Sequence, residues 1–179
     1  MILYLFEYYA KSKKKHPDIY AIITTCEEAG MHGSKNIDWD SLYKVFNPAK
    51  NMVVLDFGGP AGKIGYGAPT AYYFEAEISG KTAHAGMEPE KGINAIHIAC
   101  RALSKLEIGR IDEQSTSNVS FIRADFPHNV VPDQVRLKGE VRSHSKDRAL
   151  EILNKYKDTI IGEADGKATF LYHANYPVL

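Results

Sequence analysis

The chain of 179 residues is long enough for one domain, or for one domain and part of a second. Its 22 basic and 22 acidic side chains cancel and no basic stripe forms, which argues against nucleic acid or an anionic membrane as a partner. Cys26 and Cys100 lie far apart with no CxxC spacing and read as free thiols. The apolar start (Ile2, Leu3, Leu5, Phe6) is too short for a membrane span and precedes its lysines, so the expectation is a cytoplasmic protein.

In chain order, Met1 to about Lys14 places Leu3, Phe6 and Ala10 on one side of a short amphipathic helix, broken at His16-Pro17-Asp18. Ile19 to Thr25 is mostly β-branched and apolar without clean alternation, the pattern of a strand buried on both faces of an α/β sheet. It runs into Cys26-Glu27-Glu28-Ala29-Gly30, which sets two adjacent carboxylates at a strand end, where sites form in open α/β sheets. A short helix around Trp39 to Phe46 leads to a second buried strand, Met52 to Leu55, ending in Asp56-Phe57-Gly58-Gly59-Pro60. Both strands need neighbours that the chain does not supply, so exposed apolar surface or a swapped arrangement is expected in residues 1–68.

From about Pro69 the pattern changes. Tyr72, Phe74, Ala76 and Ile78 alternate with Tyr73, Glu75, Glu77 and Ser79, a strand with one wet face. Gly80 to Ile96 follows, with a histidine among small residues (Ala83-His84-Ala85-Gly86), then Pro89 and Gly92, then a helix with Ile96, Ala99, Leu103 and Leu106 at helical spacing. Strands are expected near Asn118 to Ala124 and over Val135 to Arg142, the latter with Val135, Leu137 and Val141 inward and Arg136, Lys138, Glu140 and Arg142 outward. Ser145 is placed to cap a helix whose stripe is Ala149, Ile152, Leu153, Tyr156 and Ile160, and Lys167 to Tyr176 makes a final strand. The predicted class is mixed α/β: a partial α/β segment over 1–68, then a ferredoxin-like βαββαβ domain over 69–179.

Adjacent carboxylates at a strand end point opposite ways, so one can hold a metal ion while the other handles a proton. Spacing alone does not say which of Glu27 and Glu28 does which. Residues His16 to Pro177 resemble the dinuclear zinc aminoacylase and exopeptidase family, nearest its peptidase T-like tripeptidase branch. The Glu-Glu-small-Gly run, the Asp of VLDFGGP, the GKTAHAG loop, the Asn129-Val130-Val131-Pro132 turn and the GEVRS strand carry that resemblance. It implies Glu27 as general base, Glu28 and Asp56 as ligands of two zinc ions, His84 as a group lent to a partner subunit's active site to steady an oxyanion, and Asn129 and Arg142 as substrate-binding residues. It also implies a lid or dimerisation domain over 69–179, a partial catalytic segment over 1–68, a homodimer through the lid and a short peptide as substrate.

The family's early His-x-Asp, its bridging Asp and its late His have no counterpart here. His16-Pro17-Asp18 carries the letters of His-x-Asp in the wrong context, and His32, His97, His128, His144 and His173 show no metal-ligand spacing. The expectation is therefore a fragment of a zinc exopeptidase, inactive and without tight zinc by itself. The alternatives are a non-catalytic dimerisation module and a small-molecule binding domain using Arg142 as a carboxylate clamp.

Overall fold

The structure is a computed structural model and describes every residue except 29, 48, 49 and 57; Ala29 and Phe57, which belong to the two carboxylate motifs, lie outside the described residues. The chain forms two compact units, Met1–Val54 and Leu55–Leu179.

The first unit carries α1 (Ile2–Lys11), α2 (His32–Lys35) and α3 (Trp39–Leu42). None of the three contains a buried residue. α1 ends three residues earlier than the pattern suggested, because Ser12 turns extended and its hydroxyl accepts the Lys14 N–H at 3.1 Å. Asp38 caps α3 by accepting the Ser41 N–H. Aromatic rings supply what packing there is: Tyr20 lies 4.5 Å from Phe46, which meets Tyr43 edge-on.

The strands expected at Ile19–Thr25 and Met52–Leu55 do not form; among the described residues neither stretch has regular structure. Ile23 and Val53 are each 79% exposed. A strand buried on both faces exists only through ladder bonds to neighbours and layers above and below it. Among the described residues of 1–54 neither is present, so the run of β-branched residues has the propensity for a strand and nothing there to pair with.

The second unit is built from β1 (Thr70–Ser79), α4 (Ala95–Leu103), β2 (Gly109–Asp112), β3 (Ser115–Arg123), β4 (Gln134–Ser143), α5 (Lys146–Glu163) and β5 (Ala168–Tyr176). The sheet order is β2-β3-β4-β1-β5 with every neighbouring pair antiparallel. Without β2 this is the ferredoxin-like βαββαβ arrangement; β2 is an extra edge strand that hairpins onto β3. Tyr72, Phe74, Ala76 and Ile78 of β1 and Val135, Leu137 and Val141 of β4 are buried on one face, under α5 residues Ala149, Ile152, Leu153, Tyr156 and Ile160. Ser145 caps α5 by accepting the Arg148 N–H, as its position predicts.

Two local features depart from the sequence pattern. Of the expected apolar positions Ala99 and Leu106 are buried and Leu103 packs against the core, but Ile96 is exposed, and the buried stripe of α4 is Ala95, Ile98, Ala99 and Ala102. Small side chains at i, i+4 and i+7 let the helix lie close on the sheet. β3 begins at Ser115, three residues before the expected start, because its first inward positions are serines. Their hydroxyls are satisfied inside the core: Ser115 bonds Ser143 at 3.0 Å, and Ser117 bonds Tyr156 at 2.6 Å and donates to the Glu107 carbonyl at 2.8 Å.

Candidate functional site

The histidine loop leaves β1 at Gly80 and is pinned at its base. The Gly80 N–H donates to the Asp133 carbonyl at 2.7 Å, and Lys81 and Ile93 exchange both backbone bonds, at 2.9 and 2.8 Å. A methyl group on Gly80 would sit 2.1 Å from the Ile93 carbonyl oxygen, so only glycine permits this closure. A methyl on Gly92 would likewise press on Val131 Cγ1 and Ala83 Cβ, at 2.9 and 3.0 Å. Asn94 then caps α4 by accepting the His97 N–H.

Within the loop, His84 is tied to the turn before β4. Ala85 N–H donates to the Asn129 carbonyl and Val131 N–H to the Ala83 carbonyl, each at 2.9 Å, so that His84 and Val130 form an antiparallel bridge. The His84 carbonyl accepts from Met87 and Glu88, closing a tight turn behind the ring. The Gly86 N–H donates to Nδ1 of His84 at 3.2 Å. With Nδ1 used as an acceptor, the neutral ring carries its proton on Nε2, which makes the other edge a hydrogen-bond donor. The structure thus brings His84 and Asn129, both exposed, into one rigid two-loop tip.

Arg142 lies elsewhere. It sits near the end of β4, whose first residue Gln134 adjoins the base of the histidine loop, and eight residues of strand rise place it about 26 Å along from that end. Its guanidinium is held by Glu140 in a two-pronged pair, Nε to Oε1 at 2.9 Å and Nη2 to Oε2 at 3.0 Å. That carboxylate raises the arginine pKa further above its ordinary value, against the opposing pull of partial burial. In the sequence Glu140 is one of four outward charged residues of its strand, and its i, i+2 spacing from Arg142 on one strand face is the signal for the pair.

Glu27 and Glu28 belong to the first unit and Asp56 to the start of the second. The glutamates were expected at a strand end. Instead they occupy a turn entered through Cys26 at φ 57° and closed by Gly30 and Met31 N–H donating to the Glu27 carbonyl. Both glutamates and Asp56 are exposed. Among the described residues no three of histidine, cysteine, aspartate and glutamate gather around a common point. No described helix is long and apolar enough to cross a membrane.

The second unit thus combines a ferredoxin-like sheet, an extra edge strand and a histidine loop pinned at its base. The chain belongs to the peptidase dimerisation domain family, whose pattern it matches over residues 66–167. It is 37% identical over 166 residues to YqjE, an uncharacterized protein of Bacillus subtilis, covering 91% of this chain and 43% of that one. Aminopeptidase PepT from Bacillus cereus superposes with a TM-score of 0.76 at 36% identity, covering 88% of this chain and 42% of that one. A Staphylococcus aureus tripeptidase superposes with a TM-score of 0.79 at 32% identity, covering 88% and 41%. The chain therefore spans about two fifths of the length of these relatives.

Proposed function

We propose that this chain is the lid and an adjoining catalytic piece of a zinc-dependent exopeptidase that hydrolyses tripeptides or similar short peptides, working in the cytoplasm as a homodimer. The observation that carries the reading is the His84 tip: a donor Nε2 edge on a loop locked to Asn129, in a domain whose family is that of peptidases. In this reading the exposed Nε2–H of His84 donates to the oxygen of the scissile carbonyl as it gains negative charge, and Asn129 orients the same peptide. Glu27 takes a proton from the attacking water and returns it to the leaving amine. Glu28 and Asp56 are the carboxylates of this chain that would hold zinc, which when bound supplies Lewis-acid polarisation.

The separation of Arg142 from the tip supports a shared site. A tripeptide spans about 11 Å at most, far less than the roughly 26 Å along β4, so His84 and Arg142 of one copy do not meet on one substrate. Contribution of His84 and Asn129 by one copy and Arg142 by the other resolves this.

The test is hydrolysis of trialanine by the whole protein, made with the segments its relatives possess. Chelator-sensitive cleavage, lost by at least about a hundredfold in His84→Ala, is expected. The 179-residue chain alone is expected to cleave nothing. A whole protein that dimerises, binds no zinc and leaves trialanine intact would support instead a non-catalytic dimerisation module, which the self-contained core of the second unit also allows.

A further inference from the structure

The outer face of the sheet, opposite the helices, is a lattice of charges whose pairings can be read row by row. Lys138 bonds Glu75 at 2.7 Å and Arg136 bonds Glu77 at 3.2 Å, each across the β4–β1 ladder. Arg142 breaks the pattern. Its cross-strand neighbours are Ala71 on β1 and Thr116 on β3, neither of them charged. The acid it meets is two residues back on its own strand, and both partners are more sheltered than the other pairs, at 41% and 26% exposure. Ala71 is fully buried and small, and Tyr73 stands opposite Glu140 across the β1–β4 ladder. Tyr73 is itself fixed, its hydroxyl accepting from Asn175 at 3.1 Å.

A guanidinium has two edges that can each grip a carboxylate: the side edge of Nε and Nη2, and the end edge of Nη1 and Nη2. Glu140 takes the side edge with both oxygens. An approaching carboxylate is then left the end edge, on a group that no longer swings freely. We propose that Glu140 is the positioning residue of a carboxylate site at Arg142, fixing the guanidinium so that its end edge receives the C-terminal carboxylate of a peptide. This rests on the reading of Arg142 as a substrate-binding residue and adds the residue that sets its orientation. Glu140 does not touch the ligand. Its removal costs order in the arginine more than it gains in bare charge, because a half-exposed cation is already screened by water.

The experiment uses the whole protein and two probes, trialanine and trialanine amide. The unsubstituted protein should show a KM at least about tenfold lower for the free acid. Glu140→Gln should raise the KM for the free acid about tenfold while leaving kcat, and both constants for the amide, within about twofold. If the unsubstituted protein fails to cleave, or treats acid and amide alike, the reading of Arg142 fails and this inference with it. If it discriminates but Glu140→Gln leaves the acid KM unchanged or lower, the reading of Arg142 stands and the role of Glu140 is overturned. Should Glu140→Gln not fold, Glu140→Asp keeps the charge but shortens the reach by one methylene. It should raise the acid KM selectively, and an unchanged acid-to-amide ratio would overturn the proposal equally.

Discussion

Residues 1–54 and the sheet domain use similar letters to opposite effect. Ile19 to Thr25 is as β-prone as Tyr72 to Ile78, yet the first is irregular and largely exposed while the second is the centre of a five-stranded sheet. β1 has β4 on one side, β5 on the other and helices over one face, so each apolar side chain it turns inward is buried. The first unit has helices of four and ten residues with no buried position and an aromatic cluster in place of a core. Propensity proposes a strand; pairing and a covering layer decide whether it exists.

The sharpest way to break this contrast is a pair of truncations. Phe74→Ala removes a ring stacked on Phe170 and edge-on to Tyr156, and should cost about 3–5 kcal/mol. Ile23→Ala, at an exposed position, should cost less than about 0.5 kcal/mol. Urea midpoints of unfolding measure both, and comparable losses would erase the distinction drawn between the two regions.

A smaller effect concerns the polar heart of the sheet domain. Burial raises the Tyr156 pKa above the ordinary tyrosine value of 10.0, with the Ser117 hydrogen bond pulling the other way. The folded state therefore holds this proton more tightly than the unfolded chain. That contribution to stability is complete below about pH 10 and is lost as pH climbs through the raised folded value. Tyr156→Phe cannot ionise, so its alkaline loss of stability should be shallower. At neutral pH it should cost about 1–2 kcal/mol, because the Ser117 hydroxyl and the Glu107 carbonyl lose a partner. Parallel pH profiles for the two proteins would refute the assignment. Smallest of the three, Ser145→Ala should lower stability of the sheet domain by about 1 kcal/mol through the cap of α5. Asp38→Ala, which uncaps a four-residue helix in the other unit, should leave that midpoint where it is.

What could be read in advance follows the same physics. β1, β4 and α5 were legible because one buried face writes a period into the letters. β2 was not, since its four residues hold a single apolar side chain, Ile111, and its hairpin is what makes it a strand. The start of β3 hid behind Ser115 and Ser117, whose hydroxyls find partners only after folding. In the candidate site, the small residues around His84 marked an exposed loop. The bond from Ala85 to Asn129 joins residues far apart in sequence and leaves no local trace. The grip of Glu140 on Arg142 is local, but nothing in a strand pattern distinguishes a clamped pair from two solvated charges.

The reciprocal bonds between Lys81 and Ile93 have one more consequence. They draw both ends of the histidine loop to a single point, directly before the first turn of α4, so the sheet and helix are registered by that crossing and not by the length of chain beyond it. Extra residues spliced in after Met87 would enlarge the loop without shifting β1 or α4, and closing a loop of twice the length costs only about 0.6 kcal/mol. The span between His84 and Ile93 is therefore the stretch in which this domain can vary its reach toward a neighbour while its scaffold stays fixed.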